Sequence, residues 1–488
     1  MGRLNAEFRA PSARYAPPRI RIVLAALPLA GFAAWAVAHL VAIVTTFRTP
    51  LQATYVAWTV SFLALWWLPV SWLERPYRAS REQRPELDEL TVTVQVPVYN
   101  EDPVALRACL RSVLEQSRRV DRVRIVDDGS VDAGGNSVTY DDVRRDFEAA
   151  ASVLGIDTSW ERTPNRGKRF AQMHALAGDD ADVFVTLDSD SVLDRHAVRE
   201  GLLPFADPRV QSVGGHVLVL NRTASLLTRM TCVLYLPFTR GVRSAQSVLR
   251  RVTINSGTLA FYRGGVVRRA AGVYEHERFA GRPMQMNDDS MLTFYALLAG
   301  DTVHQPSSMA FTLVPERLHH YLKQQLRWMR GTTVRHLWWL RYMPVTGAVF
   351  WMTVSEYLHL VLAVLLPFML LLDPYYREHL GSVASSGLQV GVVLSYLSAL
   401  RIFVVRRSDE STWSRAALFA CTPLIALWRL LVLRPLYLYA VCTCRRVGHW
   451  GTRQAVEVSL GNPVTASSFQ EGRGREEAPT GAGQQPGR

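Results

Sequence analysis

Cysteine is scarce in this chain of 488 residues, which contains five cysteines at scattered positions. An odd and scattered set excludes the disulfide framework of a small secreted domain. Cys442 and Cys444 form a C-x-C pair within an apolar stretch, which is not the spacing of a zinc site. The cysteine usage therefore favours a folded domain in the reducing environment of the cytosol.

The sequence also contains no internal repeats, and its positive charges outnumber its negative ones. Its formal net charge is +13, with 55 Lys and Arg against 42 Asp and Glu. A basic surplus can indicate nucleic acid, anionic lipid or a phosphorylated ligand as the partner. Much of this surplus flanks apolar runs, as in the cytosolic loops of membrane proteins, and no basic–aromatic motif accompanies it. We therefore expect membrane lipid, and no nucleic acid, among the partners.

The first long apolar runs occupy residues 22–44 and 54–73. Each is close to the roughly 20 residues that an α-helix needs to cross a bilayer, and the first is too long for the apolar part of a cleaved signal peptide. Arginines precede the first run and follow the second, which indicates that both flanks lie in the cytosol. We predict a cytosolic tail over 1–20, two transmembrane helices over 21–74, and a multi-pass protein of the cell membrane.

The segment 88–310 has the pattern of an α/β domain. Predicted strands at 91–97, 123–126 and 182–187 alternate with helical stretches, which indicates a parallel sheet with helices on both faces. In such sheets ligands bind beyond the carboxyl ends of the strands. The second and third predicted strands end in acidic clusters, which mark the candidate site of a cytosolic domain.

Apolar sequence returns after this domain. Residues 311–344 combine Arg, His, Trp and Leu at helical spacing, which predicts amphipathic helices at the membrane interface. The region 345–445 predicts about four further transmembrane helices. Within it, 416–444 is short for two full spans and predicts two short kinked helices or a re-entrant hairpin, with Arg429 and Arg434 near the turn. A loop follows at 446–454, and the polar tail at 455–488 is predicted to be disordered.

Two acidic clusters follow the predicted strands. Asp188 and Asp190 are spaced i, i+2, and carboxylates placed in this way can hold Mg²⁺ or Mn²⁺ against a diphosphate. Asp127 and Asp128 precede Gly129 and can hydrogen-bond a nucleoside base or ribose. Each cluster also has an ordinary explanation, since acids follow strands by chance and Asp-Gly is a common turn.

Two further motifs offer groups for phosphate binding and proton transfer. Gly167 permits close approach of the backbone, and Lys168 and Arg169 can bind phosphate oxygens, although a basic surface turn has the same composition. In Asn287-Asp288-Asp289, the carboxylate of Asp289 can take a proton from a hydroxyl. The ordinary alternative for this tripeptide is a helix N-cap.

The last motif lies on the predicted interface helix, in Gln324-Gln325-Leu326-Arg327-Trp328. Arginine can bind pyrophosphate through two parallel hydrogen bonds, and an indole is a flat platform for a sugar ring. An arginine that extends to the headgroups beside an interface tryptophan would give the same pattern. Order and spacing along the chain, rather than any single motif, decide between these readings.

The order of the motifs resembles that of processive family 2 glycosyltransferases, the group that contains hyaluronan, chitin and cellulose synthases. The matching elements are Val96-Pro-Val-Tyr-Asn-Glu101, the Asp127 cluster, Gly167-Lys-Arg, Asp188-Ser-Asp, Asn287-Asp-Asp and Gln324-x-x-Arg-Trp. The resemblance extends over about 20–453. Gly167-Lys-Arg is similar to hyaluronan, chitin and chitooligosaccharide synthases, and Trp-Gly-Thr-Arg at 450–453 resembles an element of hyaluronan synthases.

The resemblance implies a cytosolic, Rossmann-like GT-A domain inserted between N-terminal and C-terminal membrane helices, with a UDP-sugar donor and Mg²⁺ or Mn²⁺. Donor-binding roles are implied for Tyr99, Glu101, Asp127, Asp128, Lys168, Arg169, Asp188, Gln324, Arg327, Trp450 and Arg453. Acceptor contacts are implied for Trp328, Ser256 and Gly257. Asp190, with Asp188, is implied as the metal ligand, and Asp289, beside Asp288, as the catalytic base. The 450–453 element is implied to be a loop that closes over the nucleotide.

Two departures from the resemblance concern the sugar. Hyaluronan synthases usually have Gly-Asp-Asp-Arg where this chain has Asn287-Asp288-Asp289-Ser290. They usually have a cysteine and Ser-Gly-Pro where it has Asn255-Ser256-Gly257-Thr258. The second element lines the sugar-binding region in the family. These changes leave the implied catalytic class intact and leave the identity of the sugar open.

The expected function is that of an inverting, processive synthase. It would polymerise UDP-GlcNAc, with UDP-GlcA, into a β-linked polysaccharide such as hyaluronan and export the growing chain. A chitin-type synthase that uses UDP-GlcNAc alone is an alternative. A non-processive transferase to a lipid carrier usually lacks the Gln-x-x-Arg-Trp element. An inactive export relative would have lost one of the acids Asp188, Asp190 and Asp289, all of which are present.

Overall fold

The computed structural model describes residues 11–16, 31, 34, 35, 38, 65–132, 135–372, 378 and 380–446. The predicted spans at 22–44 and 54–73 fall mostly outside these residues. Residues 447–454, with Trp450 and Arg453, and the tail at 455–488 also fall outside them. The predictions for those segments therefore stay predictions.

A mixed eight-stranded sheet forms the centre of the described chain, in the order β4-β3-β2-β5-β8-β7-β11-β6. Its strands are β2 (Val92–Val98), β3 (Arg122–Asp127), β4 (Asp157–Arg162), β5 (Val183–Thr186), β6 (Ser191–Leu193), β7 (Val210–Val219), β8 (Ala260–Arg263) and β11 (Asp301–Thr312). Strands β4, β3, β2 and β5 are mutually parallel, as predicted, whereas β8 and β6 run antiparallel to their neighbours. Six of the eight strands, including β7 and β11, therefore run in one direction as predicted, and only β8 and β6 are reversed.

Helices cover both faces of the sheet because its central strands are apolar on both sides. In β5, Val183 and Val185 belong to one core cluster and Phe184 to another, as expected for side chains that alternate between faces. The helices of the domain are Gln83–Glu89, Pro103–Leu114, Asp141–Leu154, Lys168–Ala175, Ala197–Leu202, Gly264–Glu275 and Asp288–Ala299. This arrangement leaves the carboxyl ends of β2, β3 and β5 at one edge, where the acidic clusters lie.

A second group of helices packs beside the domain. Its members are Trp67–Ser71, Leu226–Leu234, Arg243–Val248, Leu318–Tyr342, Ala348–Leu372, Leu380–Ala399, Thr412–Ala420, Thr422–Trp428 and Arg434–Cys442. A helix, Leu318–Tyr342, lies within the range 311–344 for which amphipathic interface helices are predicted, although the first residues of that range, through Thr312, end strand β11. Val233, Tyr321, Ala399 and Ile425 meet in one apolar cluster that joins four of these helices.

Two helices in the part of the chain that the structure describes are long and apolar enough to cross a membrane, Gly387–Val404 and Thr422–Cys442. The second continues through a π-helical turn at Arg429–Leu433. The reversal expected near Arg429 and Arg434 is therefore not observed. The helical break lies earlier, at Cys421, and the next helix begins at Thr422 with Pro423 in its first turn. Proline fits the first turn of a helix because its missing N–H has no partner there.

The two ends of the segment 409–443 contact the domain and the helix Leu318–Tyr342, the helix of the predicted interface region and called the interface helix below. Arg222 Nε is 3.2 Å from Asp409 Oδ2 at one end, and Arg330 Nε donates to Thr443 Oγ1 at 3.0 Å at the other. Cys444 then packs against an apolar cluster that includes Met286.

Contacts between distant parts of the chain fix the remaining segments. Strand β1 (Ala13–Tyr15) pairs antiparallel with β12 (Val405–Arg407), and Ala13 N donates to Asp194 Oδ2 at 3.0 Å. Strands β9 (Arg278–Phe279) and β10 (Arg282–Pro283) form a small hairpin. The buried carboxylate of Glu74 contacts His304 Nδ1 at 2.8 Å, Arg401 Nη2 at 2.6 Å and Ser244 Oγ at 2.7 Å.

Candidate active site

Lys168 brings three of the predicted motifs together. Its Nζ lies 2.7 Å from Asp188 Oδ1, just after β5, and 2.7 Å from Asp288 Oδ2, at the start of the helix Asp288–Ala299. A methyl group placed on Gly257 would lie 3.2 Å from Lys168 Nζ and 3.5 Å from an oxygen of each carboxylate. Gly257 therefore forms one wall of this charged cluster, and the absence of a side chain there keeps the cluster open.

The Lys168 cluster shifts the pKa values of the two carboxyl groups at the start of the helix in opposite directions. Burial raises the pKa of Asp288. The charges of neighbouring cations, chiefly the ammonium of Lys168, more than offset this effect, so the net pKa lies below its usual value. Burial and the charge of Asp288 both raise the pKa of Asp289. The pKa of Lys168 is raised because Asp188 and Asp288 outweigh its burial. Asp288 is thus held ionised, while Asp289 has the character of a group that takes up a proton.

Asp188 and Asp190 offer hard oxygen ligands to a divalent ion. Asp188 Oδ2 accepts from Thr258 Oγ1 at 3.4 Å, and Asp190 Oδ1 accepts from Ser191 Oγ at 3.1 Å and Thr312 Oγ1 at 3.3 Å. Among the described residues no group of three or more His, Cys, Asp or Glu side chains is placed to hold a metal. The pair fits Mg²⁺ or Mn²⁺, because such ions are commonly bound by one or two carboxylates plus substrate phosphates and water.

The carboxylates of Asp127 and Asp128 hold loops at the strand edge. Asp127 accepts from Ser130 N at 2.9 Å and from Arg162 Nη1 at 2.9 Å. The oxygens of Asp128 accept from the backbone N–H groups of Arg166 and Gly167, both at 2.9 Å. Burial, only partly offset by these N–H groups, raises the pKa of Asp128 to about 6. Asp128 thereby fixes the loop that carries Lys168, and the predicted uridine contacts stay predictions.

Glu101 connects the loop after β2 to the acidic turn after β5. Its Oε2 accepts from Ser189 Oγ at 2.7 Å, between Asp188 and Asp190, and its backbone N–H donates to the hydroxyl of Tyr140 at 2.8 Å. Tyr99 is half-buried in the same loop. Glu101 therefore orients the turn that carries Asp188 and Asp190, a contact that the sequence does not indicate.

Arg169 departs from its predicted position. Its buried guanidinium pairs with Glu277 and donates to the carbonyl oxygens of Met286 at 2.7 Å and Asn287 at 3.2 Å. The structure therefore corrects the expected diphosphate contact, because this side chain holds the turn before Asp288 and does not face the same space as Lys168.

The interface helix Leu318–Tyr342 supplies the far wall. The ring of Trp328, 43% exposed, lies 5.9 Å from the ring of Tyr235. The charge of Arg327 is among the causes that lower the pKa of Asp288. Gln324 Oε1 is buried and accepts no hydrogen bond from the described residues. Gln324, Arg327 and Trp328 thus lie on one helix, and the donor and acceptor roles implied for them stay predictions.

The chain resembles known enzymes over most of its length. A family model described as "Glycosyltransferase like family 2" matches residues 89–331. The hyaluronan synthase of Streptococcus pyogenes serotype M1 is 31% identical over 394 residues, which cover 80% of this chain and 88% of that protein. The chain belongs to glycosyltransferase family 2.

Other relatives of this family 2 glycosyltransferase cover less of it or share the fold alone. An N-acetylglucosaminyltransferase of Azorhizobium caulinodans is 35% identical over 246 residues, or 49% of this chain and 59% of that one. The mannosyltransferase of Pyrobaculum calidifontis, solved with GDP-Man and Mn²⁺, is 20% identical. The structural match covers 85% of this chain and 98% of the mannosyltransferase chain, with a TM-score of 0.50. The α/β domain is thus a GT-A glycosyltransferase fold.

Three residues near the site of this glycosyltransferase have no sequence signal that we recognised. Tyr235 stacks near Trp328, and the buried guanidinium of Arg243 interacts electrostatically with Asp289. Gly331 contacts the turn that carries Asp288. Tyr235 and Arg243 come from helices between β7 and β8 that contain no recognised motif, and Gly331 follows the predicted Trp328 by one helical turn. Only the tertiary packing shows that they border the site.

Proposed function

We propose that this glycosyltransferase is a membrane-embedded, inverting and processive enzyme. It polymerises sugar from UDP-GlcNAc, together with UDP-GlcA, into a β-linked polysaccharide such as hyaluronan and exports it. The observation that carries the proposal is the Lys168 cluster, which joins a D-x-D turn, a basic loop and a carboxylate pair within hydrogen-bonding distance. The 31% identity to a hyaluronan synthase across 88% of its length supports the choice of product.

Donor binding uses the cations and carboxylates at the sheet edge. Lys168 and Arg327 offset the charge of the UDP diphosphate, and Asp188 and Asp190 hold Mg²⁺ or Mn²⁺. When bound, the ion would neutralise the charge that develops on the departing UDP. Lys168 also keeps Asp288 ionised, so the net charge of the pocket is set before the donor arrives. Preorganised charges of this kind need no rearrangement during the reaction.

Transfer requires one proton acceptor beside the acceptor sugar. The acceptor oxygen forms a bond to the anomeric carbon while the bond from that carbon to the UDP phosphate oxygen breaks. The hydroxyl proton passes to the carboxylate of Asp289, whose pKa is raised toward the range of an effective base. Attack from the face opposite UDP inverts the anomeric configuration. Trp328, with Tyr235 beside it, offers the surface on which the terminal sugar of the polysaccharide stacks.

The membrane segments supply the route for the product and a closing loop. The described helices Gly387–Val404 and Thr422–Cys442 are long and apolar enough for the bilayer. Cys444 packs beside Met286, one residue from Asn287, so the segment that follows starts next to the carboxylate pair. This supports the assignment of Trp450 and Arg453 to a loop that closes over the bound nucleotide.

A synthase that uses UDP-GlcNAc alone is the second candidate. The 35% identity to an N-acetylglucosaminyltransferase favours it, as do the departures at Asn255 and Ser290. Asn255 is fully buried and donates through Nδ2 to Ser212 Oγ at 2.8 Å, so this departure changes the packing beneath Ser256 and Gly257.

Membranes of an expressing host test both candidates. They would be supplied with Mn²⁺ or Mg²⁺ and with UDP-GlcNAc, alone or with UDP-GlcA. A long product that needs both donors and is cleaved by hyaluronidase establishes the first candidate, and a product from UDP-GlcNAc that chitinase cleaves establishes the second. EDTA should abolish either product, and added Mn²⁺ or Mg²⁺ should restore it. Polymer synthesis that persists in EDTA would exclude the metal role of Asp188 and Asp190.

A further inference from the structure

Asn287 has an unusual backbone conformation immediately before the two carboxyl groups. Its φ of 65° and ψ of 32° are left-handed, a conformation that glycine adopts freely and that asparagine tolerates better than other residues. A glycine would satisfy the backbone at this position. The presence of asparagine therefore directs attention to what its side chain does.

The side-chain amide of Asn287 reaches the interface helix. Its Nδ2 donates to the carbonyl oxygen of Gly331 at 2.8 Å. A methyl group added to Gly331 would overlap Asn287 Oδ1, so the helix can approach this closely only because residue 331 has no side chain. Gly331 lies four residues after Arg327 and three after Trp328, so it belongs to the same face of the helix as both.

The opposite side of the same turn is also fixed. Arg169 donates to the carbonyl oxygens of Met286 and Asn287, and its guanidinium is held by Glu277. Glu277 in turn accepts from the hydroxyl of Tyr295. The side chain of Met286 packs in an apolar cluster with Val334 of the interface helix. The turn before Asp288 is therefore clamped between the core of the domain and the interface helix.

We propose that Asn287 and Gly331 are positioning residues for glycosyl transfer. Their contact sets the distance between the Asp289 carboxylate and the Trp328 platform, and neither residue touches the reacting atoms. The inference rests on the proposed function, in which Asp289 is the base and Trp328 holds the acceptor. A base must lie within hydrogen-bonding reach of its proton, and a displacement of about 1 Å can lower a rate about 100-fold. The donor pocket, centred on Lys168, Asp188 and Asp190, meets the same turn through the ion pair of Lys168 with Asp288, which a substitution at Asn287 or Gly331 does not remove.

Replacement of Asn287 by glycine tests the inference, because it keeps the left-handed backbone and removes only the amide. We expect kcat for polymer formation to fall at least about tenfold while KM for the UDP-sugar changes less than about twofold. A misplaced acceptor also leaves the donor open to water, so the fraction of UDP released by hydrolysis should rise. Asn287→Asp, which keeps the shape but loses the N–H donor, should change both quantities in the same direction.

The other partner supplies a matched set of variants. Gly331→Ala should lower kcat, because its methyl group overlaps the Asn287 amide. Gly272→Ala, in the helix Gly264–Glu275, meets no atom within 4 Å and should leave kcat unchanged. In the double variant Asn287→Gly with Gly331→Ala, the amide that causes the overlap is gone. Its kcat should therefore be no lower than that of Asn287→Gly alone.

The outcomes separate the inference from the function on which it rests. Wild-type kcat and hydrolysis fraction in Asn287→Gly would overturn the inference while the function stands. A loss of thermal stability with an unchanged ratio of hydrolysis to transfer would also overturn it, because that result shows a purely structural role. Wild-type protein that binds UDP and transfers no sugar from either donor would overturn the proposed function, and the inference with it.

Discussion

The adjacent carboxyl groups of Asp288 and Asp289 ionise differently because only Asp288 has a cation as its direct partner. Asp288 is 2.7 Å from Lys168 Nζ, whereas Asp289 Oδ1 accepts from the backbone N–H of Ser290 at 2.7 Å. We expect Asp289→Asn to abolish transfer, since an amide cannot take the proton, while UDP-sugar affinity stays within about twofold of the wild type. Titration of each variant with UDP would measure binding. Asp142→Asn, at an exposed helix start, is the matched control, and a loss of UDP binding in Asp289→Asn would exclude the role of base.

The carboxyl groups of Asp288 and Asp289 also predict how kcat falls on the acid side of its pH profile. A base works in its ionised form, so kcat should fall as the pH drops through the raised pKa of Asp289. At saturating donor the limb should lie above the ordinary aspartate value of 3.8. Removal of the neighbouring charge in Asp288→Asn takes away one cause of the shift, so the limb of its residual activity should move to lower pH. A limb that stays in place would contradict the assignment.

Side-chain direction limits what the sequence can predict at this scale. Lys168 and Arg169 are consecutive, and both were expected at the diphosphate. In the structure they begin a helix, and neighbouring residues of a helix point about 100° apart. Only Lys168 faces Asp188, while Arg169 turns toward Glu277. The sequence motif alone cannot distinguish these two roles, because they differ only through the directions in which the helix that begins at Lys168 points the two side chains.

The loop before that helix depends on one carboxylate. Asp128 accepts from the N–H groups of Arg166 and Gly167, and its replacement by alanine would leave both donors without this acceptor. We expect Asp128→Ala to raise KM for the donor, because Lys168 is displaced, and to lower the free energy of unfolding by about 1–3 kcal/mol. Initial rates at varied donor and a thermal melt measure the two effects. Asp132→Ala, in a neighbouring exposed turn, should change neither, and an unaltered donor KM in Asp128→Ala would contradict the role of the loop.

Among the secondary-structure elements, the sequence predicts best the short strands rich in valine and isoleucine that end in polar clusters. Strands β2, β3 and β5 are short apolar runs that end in polar clusters, and each was predicted to within two residues. Strands β7, β8 and β11 were not identified. They contain residues such as His216, Arg263 and Gln305, whose polar groups are satisfied by distant partners. Because these partners are supplied by the fold, the three strands are not apparent in the sequence, and the reversed direction of β8 cannot be predicted from it.

At the scale of the whole molecule, Glu74 joins three parts of the chain. Its buried carboxylate contacts His304 of β11, Arg401 after the helix Leu380–Ala399, and Ser244. Removal of one partner from a buried ion pair leaves the other charge unpaired, which costs about 3–5 kcal/mol. We therefore expect Glu74→Ala to lower the thermal midpoint and the yield of folded protein. Glu115→Ala, which breaks an exposed pair with Arg111, should shift neither, and equal midpoints for the two variants would contradict the prediction.

The pairing of strands β1 and β12 also limits how the chain can cross the membrane between them, because an even number of crossings is required. Residues 13–15 and 405–407 are hydrogen-bonded partners, so they occupy the same compartment. Ala13 bonds to Asp194 and Arg407 Nη1 to Val219 O, so this compartment is also that of the catalytic domain. Every excursion into the bilayer between residues 16 and 65, or between 345 and 404, must therefore return to the side from which it left. A reporter fused after residue 15 and one inserted at residue 408 must then give the same readout of sidedness, whatever the number of spans between them.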